Sequence, residues 1–126
     1  MFLNKQHHIA VISSDWEKAR EFYIEKLGFT LEKEFFRPAQ NDYLRMLRQG
    51  DTVIELFVRP DAPQRVNNPE ALGLRHLAFW VEDIEPAVAW LKGMGIETEP
   101  IREDSVNGGR FTFFKDPDGL PLELHE

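Results

Sequence analysis

The fold is decided by LRHLAFWVED, at residues 74–83, because an earlier part of the same chain carries a similar stretch. HHIAVISSD, at residues 7–15, aligns with it under one constant shift along the chain, and this shift places His8 on His76. An internal repeat marks a repeated structural unit. Two copies therefore predict a single domain built from two related halves.

The same shift also aligns two acidic residues, Glu55 in VIELFV and Glu123 in PLELHE. Side chains two residues apart share one face of a β-strand, and apolar neighbours of these residues point to the opposite face. We therefore expect His8, Glu55, His76 and Glu123 on the sheet faces that helices do not cover.

Short alternating or apolar runs, separated by turn residues, predict four strands in each half of the chain. DPDG, at residues 116–119, is typical of a tight turn. The expected strands lie at about residues 6–12, 29–37, 42–50, 51–59, 75–81, 96–103, 110–115 and 121–125.

One helix is expected after the first strand of each half. The first begins at Ser14 or Asp15, both of which are N-cap residue types, and ends at Gly28, which adopts the left-handed conformation easily. Apolar residues recur at helical spacing between these limits. The second helix begins at Asp83 and ends at Gly95.

These elements predict an α+β fold of two βαβββ modules within one domain, residues 1–126. Module one covers about residues 6–59 and module two about residues 74–126. Residues 60–73 are rich in Pro and Asn and show no periodicity, so we interpret them as the linker between the modules.

Composition excludes several classes of protein. The formal net charge is −7, which argues against nucleic-acid binding, since a phosphate-binding surface needs clustered Lys and Arg. The absence of cysteine excludes disulfides, thiolate metal sites and a cysteine nucleophile. No apolar run has the length of a membrane span, and no signal peptide is recognisable. We therefore expect a cytoplasmic protein.

Three stretches carry a resemblance to a known family: residues 7–29, 75–91 and 113–126, the last of which is FFKDPDGLPLELHE. In their order of elements and in these motifs, they resemble the vicinal oxygen chelate superfamily. That group includes glyoxalase I, bleomycin and fosfomycin resistance proteins, methylmalonyl-CoA epimerase and extradiol dioxygenases. The pattern is most similar to that of bacterial glyoxalase I-like proteins.

The resemblance implies a fold and a metal site. Each module would be a partly rolled mixed sheet with one covering helix, and the modules would form a cleft with a divalent metal on its floor. The implied ligands are His8, Glu55, His76 and Glu123, the same four residues that the repeat isolates. The resemblance also implies a homodimer, with each cleft formed either within one chain or between two.

Two imidazoles and two carboxylates suit Zn, Ni, Co, Mn or Fe better than Ca or Mg, which prefer oxygen ligands alone. Two coordination positions would remain for two adjacent oxygens of a small substrate. By resemblance to glyoxalase I, we expect a lyase or isomerase that acts through an enediolate. Glu123 is the first candidate for the catalytic base and Glu55 the second.

In glyoxalase I, an arginine four residues after the first metal ligand and an asparagine four residues after the second help to hold glutathione. The corresponding ligands here are His8 and Glu55, and the resemblance does not extend to the positions four residues after them. Ile12 and Arg59 stand there instead, so the thiol cosubstrate and the physiological substrate stay open. Aromatic residues near the ligands, and arginines able to meet an anionic group, are the candidates for substrate binding: Phe57, Trp80, Phe114, Arg45 and Arg110.

Two alternative functions remain. One is an epimerase-like isomerase of acyl thioesters, although such enzymes usually have glutamine where Glu55 stands. The other is a non-catalytic module that binds a small molecule such as an antibiotic, although these proteins generally lack the metal ligands. The roles of His7 and His125 stay open.

Overall fold

A computed structural model describes residues 1–126, and the chain divides into two compact units, Met1–Pro63 and Gln64–Glu126. Each unit contains one open, four-stranded sheet with both parallel and antiparallel pairs, and a helical segment after its first strand. The α+β class and the two βαβββ modules are thereby confirmed. Neither helical segment is long and apolar enough to cross a membrane.

Unit 1 has the strand order β1-β4-β3-β2. β1 pairs with β4 in parallel, and the other neighbours are antiparallel. Its elements are β1 (Ile9–Ser13), α1 (Trp16–Ala19) continuing as a π-helix (Arg20–Lys26), β2 (Thr30–Arg37), β3 (Asp42–Gln49) and β4 (Thr52–Val58).

Unit 2 has the equivalent order β5-β8-β7-β6, with β5 parallel to β8 and antiparallel pairs elsewhere. Its elements are β5 (Leu77–Trp80), α2 (Ile84–Gly93), β6 (Arg102–Glu103), β7 (Arg110–Lys115) and β8 (Pro121–His125).

The repeat seen in the sequence is also a repeat of strand register. Ile9 lies beside Ile54 in unit 1 and Leu77 beside Leu122 in unit 2, so the offset between paired residues is the same in both parallel pairs. Each unit therefore places its histidine and its glutamate at equivalent points of two neighbouring strands.

One face of each sheet forms the apolar core of its unit. In unit 1, the fully buried residues of this face are Leu47, Ile54 and Leu56. In unit 2, Leu122 of β8 and Leu91 of α2 are fully buried. Burying each such side chain contributes roughly 1.5–3 kcal/mol before entropy costs. The opposite faces carry the glutamates together with aromatic side chains.

The first helix differs from the regular helix that the spacing predicted. Asp15, rather than Ser14, is the N-cap and accepts a hydrogen bond from the backbone N–H of Lys18 at 2.9 Å. After four residues the helix widens, and the N–H of Leu27 donates to the carbonyl of Phe22, five residues earlier. This π-helical spacing stacks two buried residues, Phe22 and Leu27, on the same side.

Both leading strands begin later than predicted. β1 starts at Ile9 and β5 at Leu77, so His8 and His76 each lie immediately before a strand. Each histidine is therefore the last residue of a loop. The residue that follows it, Ile9 or Leu77, is held by the parallel pairing of strands.

The predicted strand at residues 96–103 was wrong for most of its length, because only Arg102–Glu103 forms a ladder. The N–H of Ile96 instead donates to the carbonyl of Leu91 at the end of α2. Pro100 has no N–H to donate, which interrupts pairing before Arg102. The remaining predicted strands and the DPDG turn are confirmed.

Candidate functional site

His76 and Glu123 form a close pair in unit 2. His76 precedes β5, Glu123 lies on β8 beside Ala78, and the distance from His76 Nε2 to Glu123 Oε2 is 2.8 Å. The side chains are 26% and 11% exposed, and the His76 ring meets the edge of Phe113 at 5.1 Å between centroids. Parallel pairing of β5 and β8 thus holds an imidazole against a largely buried carboxylate.

His8 and Glu55 form the equivalent pair in unit 1. His8 Nε2 lies 3.5 Å from Glu55 Oε1, and the side chains are 34% and 19% exposed. The other ring nitrogen of His8, Nδ1, is 2.7 Å from Nδ1 of His7. His7 therefore contacts the side of the ring that faces away from Glu55.

Each pair offers two of the ligand atoms that a divalent ion would need. Metal–nitrogen and metal–oxygen bonds of 2.0–2.2 Å at right angles separate two ligand atoms by about 3 Å. The observed distances, 2.8 Å and 3.5 Å, lie on either side of that value. A protonated imidazole would form an ion pair at similar distances, so metal titration separates the two interpretations. No group of three or more His, Asp or Glu side chains is arranged to hold a metal ion.

Phe57 lies on the same face of β4 as Glu55, two residues further along the strand. Two guanidinium groups flank its ring, with Arg37 Cζ at 5.1 Å and Arg59 Cζ at 5.6 Å from the centroid. The structure therefore gives this candidate a charged environment that the sequence did not predict.

Trp80 is 75% exposed and lies beside His125 in the pairing of β5 with β8. Since His125 and Glu123 are two residues apart on β8, Trp80 belongs to the face of the sheet that carries Glu123. Its indole is accessible to a ligand on that face.

Arg45 lies on the opposite face of its sheet from Glu55. It pairs with Leu56 across the strands, donates to Glu34 at 2.7 Å, and places its guanidinium 4.0 Å from the ring centre of Trp16 in α1. Because Leu56 is fully buried on the helix-covered face, Arg45 packs against α1 rather than beside Glu55.

Phe114 and Arg110 are likewise on the helix-covered side of their sheet. Phe114 pairs with Leu122 and is only 4% exposed. Arg110 donates to Glu126 at 2.9 Å and lies 3.5 Å from Asp83, the N-cap of α2. These side chains stabilise unit 2, and we leave them out of the candidate substrate site.

Sequence reasoning missed three further residues of the sheet in unit 2 that carries Glu123. In unit 2, Phe113 pairs with Glu123 and Phe111 with His125, and Arg102 lies over Phe111 at 4.8 Å. Their alternation with Thr112 and Phe114 was visible in RFTFFK, but it could not be assigned to a face until the register with β8 was known.

The side chain of His125 contacts Asp104 rather than either His–Glu pair. Its Nε2 lies 2.9 Å from Asp104 Oδ2, and its ring stacks on Phe111 with an interplanar angle of 10°. The hydrogen bond to Asp104 raises the pKa of His125 above its usual value of 6.5. Backbone hydrogen bonds from Asn107 and Val106, with that from His125, hold the pKa of Asp104 well below its usual range.

Comparison with known proteins gives one family and several relatives. The family model described as Glyoxalase/Bleomycin resistance protein/Dioxygenase superfamily matches residues 5–124. The protein YwkD of Bacillus subtilis (strain 168) is 54% identical over 127 residues, covering 100% of this chain and 99% of YwkD. The crystal structure of a glyoxalase family protein from Enterococcus faecalis superposes with a TM-score of 0.94 at 51% identity, with 100% of both chains covered.

More distant relatives have names that state an activity. The 2-epi-5-epi-valiolone epimerase of Actinomyces sp. is 29% identical over 94% of this chain and 76% of its own length. Glutathione transferase FosA of Serratia marcescens is 31% identical over 98% of this chain and 81% of its own. TnmS3, an antibiotic-binding protein from Streptomyces sp. CB03234, has a TM-score of 0.73 at 26% identity, covering 99% of this chain and 97% of its own.

Proposed function

The chain belongs to the glyoxalase/bleomycin resistance protein/dioxygenase superfamily, and we propose that it is a divalent-metal-dependent lyase or isomerase resembling glyoxalase I. Relatives in this superfamily include an epimerase, a glutathione transferase and an antibiotic-binding protein. The observation that carries the proposal is the repetition of one His–Glu pair at equivalent register in both units.

The ligands in this proposal are His8, Glu55, His76 and Glu123. Their imidazoles and carboxylates are the donor set that Zn, Ni, Co, Mn and Fe accept, and the two carboxylates neutralise a dication. A bound ion would act as a Lewis acid toward two adjacent oxygens of a substrate.

Glu123 is the proposed catalytic base. Its Oε2 faces His76, so Oε1 is the oxygen to which we assign proton transfer from the carbon next to the substrate carbonyl. The same oxygen returns that proton to the former carbonyl carbon, and the hydroxyl proton passes to the former carbonyl oxygen, so the isomerisation balances without another reactant. Burial of the residue to 8% exposure limits competition from water. Glu55, which is more exposed, is the second candidate.

Phe57 and Trp80 are the proposed substrate contacts among the aromatic candidates. Each lies on the glutamate-bearing face of its own sheet, and an aromatic ring there would pack against the apolar part of a small molecule. The substrate itself is proposed to offer two adjacent oxygens, such as a hydroxyl next to a carbonyl.

We also propose that the protein is a homodimer. Ile12 on β1 and Trp80 on β5 are 59% and 75% exposed, and both strands are outermost in their sheets. Exposed apolar side chains on unpaired strand edges are typical of contact surfaces.

The activity is tested with a ketoaldehyde–thiol hemithioacetal and an acyl-CoA as parallel substrates for the metal-loaded protein. Turnover of the first supports the glyoxalase I-like reaction, and turnover of the second alone supports the epimerase-like alternative. A protein that turns over neither, but binds a small molecule without added metal, would be a binding module of the kind that TnmS3 represents.

A further inference from the structure

Two arginines in unit 1 share one buried carboxylate. Asp42 accepts hydrogen bonds from Arg37 Nε at 2.8 Å, Arg37 Nη2 at 2.7 Å and Arg59 Nη2 at 2.8 Å. The Asp42 side chain is only 8% exposed, whereas those of Arg37 and Arg59 are 29% and 43% exposed. Asp42 thus fixes two guanidinium groups whose outer edges still reach solvent.

The two arginines lie on the face that carries Glu55. Both guanidiniums flank the ring of Phe57, which follows Glu55 by two residues on β4 and is therefore its next neighbour on that face. The pKa of Arg37 is raised mainly by its hydrogen bond to Asp42, and the charge of Glu55 also contributes. The arginines are therefore near the proposed ligand Glu55.

The cluster has unused charge and unused donors. The two guanidiniums and Asp42 alone leave a net charge of +1, and the carboxylate of Glu55 is the other charge that acts on Arg37. A guanidinium has five N–H donors. Arg37 uses two on Asp42, and Arg59 uses one on Asp42 and one on the carbonyl of Val58. The remaining donors form fixed forks that match a carboxylate or a phosphate.

We propose that Arg37 and Arg59, held by Asp42 around Phe57, form an anion subsite that binds a carboxylate or phosphate group. That this group belongs to the substrate rests on the proposed function, whereas anion binding itself does not. The substrate is then a small acid whose charged end lies on the Phe57 side of its chelating oxygens.

Geometry alone is also compatible with a purely structural cluster in which Asp42 joins β2, β3 and the end of β4. A structural role predicts that loss of an arginine lowers stability without changing affinity for anions. Anion affinity is therefore the quantity to measure.

The test uses metal-free protein titrated with inorganic phosphate and, separately, with acetate, while the arginine Nε–H signals are followed by NMR. A chelator removes any metal before the titration, so the result does not depend on metal binding. Failure of the proposed function and failure of the subsite are therefore distinguishable. We expect saturable binding of one probe with a Kd of about 10 mM or tighter. The probe that binds more tightly identifies the group.

Arg59→Gln is the main variant, because Arg37 keeps both of its hydrogen bonds to Asp42, and we expect the fold to be retained. Arg37→Lys is the second, since it keeps the charge but loses the fork. Both are expected to weaken binding about tenfold, the usual effect of losing a charge-assisted hydrogen bond. Arg20→Gln is the matched control, because Arg20 is likewise a carboxylate-paired arginine, bound to Glu17 and Glu25, but lies in the π-helix.

Wild-type affinity in Arg59→Gln and Arg37→Lys would overturn the subsite, as would the absence of saturable binding of either probe to the wild-type protein. An equal loss in Arg20→Gln would also overturn it, because the effect would then reflect total charge. Melting curves of each variant identify any loss that is due to unfolding.

Discussion

Glu123 and Glu55 occupy equivalent positions but different environments. Glu123 lies 2.8 Å from its histidine with an 11% exposed side chain, whereas Glu55 lies 3.5 Å from its histidine and is 19% exposed. A more buried carboxylate interacts more strongly with a nearby charge, because the local dielectric is lower. This difference in environment supports the proposal that Glu123, rather than Glu55, is the catalytic base.

Replacing the two glutamates in turn tests this assignment. We expect Glu123→Gln to lower kcat by about 10²-fold or more, the usual contribution of a general base. Glu55→Gln should reduce metal affinity and lower kcat less. Steady-state kinetics at saturating metal measures kcat of both variants, and a metal titration measures the affinity. The exposed Glu82→Gln is the matched control. Wild-type turnover in Glu123→Gln would contradict its role.

His125 and Asp104 give stability a defined pH dependence. The pKa of His125 is raised by Asp104, so the contribution of the charged imidazole is complete below 6.5, its usual value, and is lost as pH rises through the raised pKa. The pKa of Asp104 is lowered, chiefly by the backbone N–H of Asn107, so its contribution holds above 3.8 and is lost on strong acidification.

We therefore expect the melting temperature to fall as the pH rises above about 6.5 in the wild-type protein, and to fall less in His125→Gln. Thermal melting between pH 5 and 9 measures this, with His7→Gln as a control because His7 is exposed and distant in sequence from Asp104. Identical pH profiles for the wild-type protein and His125→Gln would contradict the assigned contact.

The two helices are capped by equivalent aspartates with unequal support. At α1, the cap Asp15 accepts the N–H of Lys18. At α2, the cap Asp83 accepts from Glu85, while Glu126 Oε2 accepts the N–H of Ile84 at 3.1 Å. The second helix therefore keeps a partner for its first turn when its cap is removed.

Asp15→Ala is expected to cost about 1 kcal/mol of unfolding free energy, the usual value for an N-cap, and Asp83→Ala is expected to cost less. Urea denaturation of both variants gives the comparison directly. An equal or larger loss in Asp83→Ala would show that Glu126 does not support the start of α2.

At the element scale, the sequence predicted β7, β8, the cap at Asp83 and both His–Glu positions, because these depend on local spacing or on the repeat. It did not predict on which face Arg45 and Phe114 lie. Side chains alternate along a strand, so a face is known only once the register with the neighbouring strand is known. The length of β6 likewise depends on its pairing with β7, and the apolar spacing did not distinguish the π-helical turn from an α-helix.

At the scale of the whole molecule, the proposed homodimer would bury the exposed edge residues. Ile12→Ser is expected to weaken self-association by at least tenfold, because burial of an isoleucine side chain contributes roughly 1.5–3 kcal/mol. Light scattering coupled to size exclusion measures the mass over a range of concentrations. Trp90→Ser is the control, since Trp90 is 43% exposed on α2. A monomeric wild-type protein would contradict the proposed dimer.

The central claim is that His8, Glu55, His76 and Glu123 bind one divalent ion, and its most direct test is the metal content of the purified protein. Each chain contains all four proposed ligand residues, so a site within one chain and a site shared by two chains would both give one ion per chain. We predict one ion per chain in the wild-type protein and its loss in the folded double variant Glu55→Gln, Glu123→Gln. Metal at 100-fold its Kd should add about 2.7 kcal/mol of stability. A purified chain without stoichiometric metal, whose melting temperature does not respond to added Ni, Zn or Mn, would contradict the claim.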